Sequence, residues 1–159
     1  MTSSENAAFE EGLALLAYRD IGEPEPPISA LALADWLRIP VQRTHRRALA
    51  RFDAAEGLIY LGGASLRGGP RLHEALAHEL GHAILHRYEA EQDEASASLV
   101  GLALMLPRGP FLRDVAELGR DLRALGARHV HCSPRMLETR LAWFDEQAGE
   151  RFYRFRRFG

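Results

Sequence analysis

The stretch "HELGHAILH", His78 to His86, carries three histidines at a spacing of four and one glutamate. On a helix, His78 and His82 project from the same side, about one turn apart. Two imidazole nitrogens so placed can bind one Zn²⁺ ion at about 2.0–2.1 Å. Glu79 then sits beside the metal instead of on it, where it can take a proton from a water that the metal acidifies. The H-E-x-x-H spacing alone is not decisive, since shuffling this composition would produce it in about 3% of chains. Its setting adds weight. Leu76, Leu80, Ala83 and Ile84 form an apolar stripe on the same segment, so the predicted helix is amphipathic. Gly81 lies mid-helix, where glycine costs about 1 kcal/mol relative to alanine, and it fits a place where another backbone or a substrate approaches closely.

A third ligand must come from elsewhere. His86 lies eight residues beyond His78, about 12 Å of helix rise, too far for one tetrahedral ion. In the extended pattern H-E-x-x-H-x-x-G-x-x-H the third histidine would fall on Tyr88, so that arrangement is absent. The next segment, "YEAEQDEASAS" from Tyr88 to Ser98, offers Glu89, Glu91, Asp93 and Glu94. At least three of these belong to a solvated face. Glu94 is the best placed, because it precedes the apolar run "LVGLALML" that must pack inward. Ser98 lies one turn further on the same face, where it can hydrogen-bond a ligand.

Outward from this pair, the pattern divides the chain into a helical lead-in (1–40), a small sheet (41–70), the zinc-binding helix pair (71–107) and C-terminal helices with a tail (108–159). The first helix places Phe9, Leu13, Leu16 and Ala17 on one face. "GEPEPP" breaks it. Ser29 caps a short helix carrying Leu33, Trp36 and Leu37, which Pro40 ends. "VQRT" (Val41 to Thr44), "ALARF" (Ala48 to Phe52) and "LIYL" (Leu58 to Leu61) read as a small antiparallel sheet, and "LRGGP" (Leu66 to Pro70) as a loop. Further helices are expected over about 92–106, over about 110–125 ending at Gly126, and from Ser133-Pro134 onward with Leu137, Leu141 and Phe144 buried. The fold class expected is α+β in a single domain.

Composition narrows the function. The 159 residues, 47% apolar and 26% charged, suit a globular protein with a real core. All 20 basic residues are arginine, which excludes lysine-based covalent catalysis. A net charge of -2 argues against a direct nucleic-acid ligand. The lone Cys132, the polar acidic start "MTSSENAAFEEG" and the absence of a membrane-length apolar run lead us to expect a cytoplasmic protein without membrane association. The tail "RFYRFRRFG" mixes four arginines with four aromatics; it reads as a segment packing its rings on the body rather than as a nucleic-acid contact. "HVHC", His129 to Cys132, has no matching partner cluster and is read as metal-free, and His45 and His73 as ordinary polar positions.

"LHEALAHELGHAILH" followed by "EASASLVGLALMLP" resembles the ImmA/IrrE family of zinc metallopeptidases. The family's glutamate falls on Glu94, its alanine on Ala97 and its proline on Pro107. "PPISALALADWLRIPV" is similar to the family's lead-in, and "HCSPRMLETRLAWF" to its late helix. Ser98 stands where the family usually has Asn or Asp, and Val100 where it has Phe. The resemblance implies a zincin-like fold, Zn²⁺ held by His78, His82 and Glu94, and Glu79 as catalytic base. It also implies cleavage of a helix-turn-helix repressor in stress, phage or mobile-element regulation. A second reading is a non-proteolytic zinc-containing module that sequesters a regulator or toxin partner; a base at Glu79 speaks against it. Tyr60, Tyr88, His129 and His131 are the candidates for steadying an oxyanion.

Overall fold

The computed structural model describes residues 3–45, 50–63 and 69–157. Seven helices and three strands follow in the order α1 (Ser3–Tyr18), α2 (Ala30–Trp36), β1 (Val41–Arg43), β2 (Ala50–Asp53), β3 (Leu58–Leu61), α3 (Pro70–Arg87), α4 (Glu94–Met105), α5 (Arg108–Leu118), α6 (Leu122–Arg128) and α7 (Pro134–Arg157). This is the expected α+β, zincin-like arrangement, a mainly helical body with one small sheet. Among the described residues no single helix is long and apolar enough to cross a membrane.

At the centre, α3 lies against α4. The apolar stripe of α3 is buried as its periodicity predicts, with Leu76, Leu80 and Ile84 at 0% exposure. α4 is more apolar, and Val100, Leu104 and Met105 close the core beneath it. The two backbones approach so closely that a Cβ on Gly81 would lie 1.9 Å from the Ala97 carbonyl oxygen, and one on Gly101 2.2 Å from that of Ala77. The close approach inferred for Gly81 is thus a contact between these two helices.

The sheet differs from expectation. Its order is β1-β3-β2. β2 and β3 form an antiparallel pair, with Phe52 opposite Ile59, but β1 runs parallel to β3, with Val41 opposite Ile59. The chain leaves β1 and returns through β2 before β3 inserts between them, so the central strand takes one neighbour of each sense. Ala48 and Leu49, expected at the start of the second strand, lie outside the described residues, as do residues 66–68 of the "LRGGP" loop.

Two helical expectations also need correction. The predicted helix over about 110–125 is two helices. It stops at Gly119, whose φ of 70° suits glycine, and restarts where Asp121 accepts a hydrogen bond from the Arg123 N–H; Gly126 lies inside α6. In α1, Leu13 is buried, but Phe9 and Leu16 are 47% and 44% exposed, and the inward face carries Glu10 and Glu11. Both carboxylates have partners. Ser96 Oγ donates to Glu10 Oε1 at 2.8 Å, and Arg140 donates to both oxygens of Glu11 at 2.7 and 2.9 Å. Arg140 offsets the buried charge of Glu11, whereas burial raises the Glu10 pKa and so favours its neutral form. Ser29 caps α2 as expected, while Trp36 faces outward. On α7, Leu137 and Leu141 are buried and Phe144 half-buried, alongside a fully buried Arg140. The tail continues α7 to Arg157, but its side chains lie outside the described ones.

Candidate metal centre

His78 and His82 lie in the middle of α3, one helical turn apart, with ring centroids separated by 4.8 Å. After α3 the chain turns through Glu89, which has a positive φ of 54°, and comes back as α4. Asp93 caps α4 by accepting from the Ser96 N–H at 2.8 Å; these bonds hold the Asp93 carboxyl below its ordinary range. Glu94 is therefore the first residue of the helix, and its side chain reaches back over the two histidines.

The convergence is specific by atom. His78 Nε2 lies 2.9 Å from Glu94 Oε2, and His82 Nε2 lies 3.3 Å from Glu94 Oε1. Each Nδ1 faces the other way, His78 toward Ser98 Oγ at 2.9 Å and His82 toward Gln92 Oε1 at 3.1 Å. In that tautomer the Nδ1–H groups donate to Ser98 and Gln92, and both Nε2 lone pairs are left pointing at one spot. Potential ligand atoms of His78, His82 and Glu94 lie within 4.8 Å of one another, the one such group of three among the described residues. A tetrahedral ion with bonds of about 2.0–2.2 Å sets its ligands about 3.4 Å apart. Two imidazoles and one carboxylate at these separations fit a divalent metal ion.

Glu79 does not join this group. Its Oε2 accepts the Phe52 N–H of β2 at 2.6 Å, which fixes the carboxylate beside His78. His86 is exposed and packs against the Phe52 ring, with centroids 5.7 Å apart, away from the three converging side chains. A cavity of about 690 Å³ opens next to His78, Glu79 and Ser98 and runs between α3, α4 and the start of α7.

None of the four oxyanion candidates lines this cavity. His129 is buried against Asp114, with Nε2 and Oδ2 3.0 Å apart, and burial lowers its pKa against the opposing pull of that carboxylate. His131 packs against His73 with the rings tilted by 39° and their centroids 4.2 Å apart. Tyr60 donates to Glu56, and Tyr88 is the exposed residue after α3. Cys132 is buried and its thiol is pushed up to about 12 by desolvation, which leaves it inert as a ligand or nucleophile. His73 is not an ordinary polar position: it is buried, and its Nδ1 accepts the Ala30 N–H at 3.0 Å.

Gln92 and the Phe52 N–H are the parts of the site that residue patterns do not announce. Gln92 stands among acidic residues in a turn, and Phe52 contributes through its backbone. The one signal available was the position of Gln92, two residues before Glu94.

A family model described as Peptidase_M78, IrrE N-terminal-like domain, matches residues 70–142, the stretch from the start of α3 into α7. No curated protein and no solved structure shows significant similarity to the chain.

Proposed function

Residues 70–142 belong to the Peptidase_M78 family of IrrE N-terminal-like domains, and from that premise we propose that the chain is a zinc-dependent endopeptidase. The observation that carries the reading is the turn of both histidine Nε2 atoms onto the Glu94 carboxylate, with Glu79 held alongside. In this proposal His78, His82 and Glu94 hold the metal, and Ser98 and Gln92 orient the imidazoles through Nδ1. Bound there, Zn²⁺ supplies Lewis acidity toward water and the scissile carbonyl.

The remaining steps belong to the chain. Phe52 keeps one oxygen of Glu79 occupied, so the other takes a proton from the attacking water. The water oxygen bonds to the carbonyl carbon. The C–N bond then breaks, and Glu79 returns the proton to the departing amine. β2 is an edge of the described sheet and lies beside Glu79, which supports an extended peptide as the form of substrate. Resemblance to the ImmA/IrrE family supports a helix-turn-helix repressor as that substrate, in cytoplasmic stress or mobile-element regulation. The rival reading, a module that holds a regulator without cutting it, would use Glu79 only as an acceptor for Phe52.

One comparison separates the two. Glu79→Gln keeps an acceptor for Phe52 but cannot take the water's proton. It should retain about one zinc per chain, bind a repressor encoded beside the gene, and cleave it at least about 10²-fold more slowly than wild type. In parallel, Glu94→Ala should lose zinc, whereas Asp93→Ala should keep it and lose about 1 kcal/mol of stability with the helix cap. A wild type that binds zinc and repressor but never cuts would refute the peptidase reading. Zinc retained in Glu94→Ala would refute the ligand set.

A further inference from the structure

The cavity beside the metal centre continues past His78 and Glu79 toward α7, and its far end has its own chemistry. The floor is apolar, with Leu102 of α4 and Met136 of α7, both buried. The charged groups at this end are Arg71 and Glu74 of α3 and Arg135 of α7. Glu74 is already engaged, because Ser133 Oγ donates to its Oε2 at 3.2 Å. Arg71 and Arg135 are exposed and, among the described residues, neither guanidinium has a hydrogen bond or an ion pair. Four arginines elsewhere on the helical body differ in this respect: Arg113, Arg120, Arg128 and Arg140 each hold a carboxylate. Two guanidiniums and one carboxylate thus line this cavity, a surplus of one positive charge over an apolar floor.

We propose that this end of the cavity is a specificity pocket for an acidic side chain of the substrate, glutamate above aspartate. The methylenes of a glutamate lie along Leu102 and Met136, and its carboxylate meets the Arg71 and Arg135 guanidiniums, whose planar N–H forks match it. Seven residues separate Arg71 from His78, about 10 Å of helix rise. A glutamate side chain reaching out from beside the scissile bond and an arginine reaching back span that distance together. A lysine or arginine of the substrate would meet two like charges there. The placement of the scissile bond rests on the peptidase reading; the pocket's preference for an acid does not.

The experiment uses quenched fluorescent peptide libraries, identical except for one residue fixed as Glu, Gln or Lys. Hydrolysis is measured with the zinc-loaded full chain, and equilibrium binding with zinc-loaded Glu79→Gln, which needs no turnover. Glu should be preferred over Gln by about 10-fold or more in both assays, the scale of a charge-assisted hydrogen bond. The preference should fall to near one in Arg71→Gln/Arg135→Gln and turn toward Lys in Arg135→Glu. A Glu-to-Gln ratio near one for the unaltered pocket, or a ratio unchanged by the double substitution, overturns the proposal whether or not peptides are cut. Selective binding without any hydrolysis would uphold the pocket and remove the peptidase.

Discussion

Histidines in this chain have sharply different tasks, and distance along the helix is only part of what separates them. His78 and His82 turn Nε2 outward because Ser98 and Gln92 take Nδ1. His73, one turn and a little earlier on α3, turns its Nδ1 into the protein to accept the buried Ala30 N–H, and burial followed by the neighbouring His131 lowers its pKa to about 4. A histidine whose folded pKa lies below its ordinary 6.5 is neutral when folded, so the unfolded chain binds the extra proton. The stabilisation from the Ala30 bond is therefore complete above pH 6.5 and is lost as pH falls from 6.5 toward about 4. His73→Ala should cost about 1–3 kcal/mol at pH 7.5, because it strands a buried donor. The gap to wild type should narrow steadily down to pH 4.5. Urea unfolding at several pH values, with chelator present so that the metal ligands do not intervene, measures this directly. A gap independent of pH would mean that the imidazole is not the acceptor.

At the scale of elements, the candidate metal centre depends on how closely α3 and α4 lie. Gly81 faces Ala97, and Gly101 faces Ala77, backbone against backbone. The Gly81→Ala Cβ would fall 1.9 Å from a carbonyl oxygen that belongs to a helix and cannot swing aside. The gain in helix propensity, about 1 kcal/mol, is smaller than the strain of forcing two packed helices apart. We expect a net loss of about 2 kcal/mol, seen as a lower Tm of the metal-free protein. Because Glu94 and Ser98 ride on α4, metal affinity should also fall, by about 10-fold or more. An unchanged metal affinity would show that α4 can move without carrying its ligand away. Ser96 adds to the seating of α4 by its bond to Glu10 of α1, made from the same turn that bears Glu94. Gly119 and Asp121 divide α5 from α6, although the apolar spacing across them imitates one continuous helix.

Across the whole molecule, Arg140 joins parts distant in sequence. It is fully buried, donates to Glu11 of α1 and to the Leu106 carbonyl after α4, and stacks over the Trp143 and Phe144 rings at 4.4 Å each. Burial pulls its pKa down and Glu11 opposes that shift. Removing one partner leaves a charge in the core, so Glu11→Ala should cost about 3–5 kcal/mol. Glu11→Leu with Arg140→Met, which removes both charges, should recover most of that loss. Chemical unfolding of the three proteins decides it. A cost below about 1 kcal/mol for Glu11→Ala would mean that water reaches the pair.

The helix α3, its H-E-x-x-H face, the return of Glu94 and Ser98 and the cap at Ser29 were written in local spacing. A helix places residues three or four apart on one side whatever surrounds it. The inward face of α1, the parallel partner of β3, the turning of Gln92 onto His82 and the lining of one cavity by both Arg71 and Arg135 were not. Each depends on which distant segment arrives as a neighbour. Glu10 and Glu11 turn inward on α1 because Ser96 and Arg140 come within bonding distance of them. Strand direction and side-chain partnership follow from the chain's path in space, and only the tertiary structure decided that path.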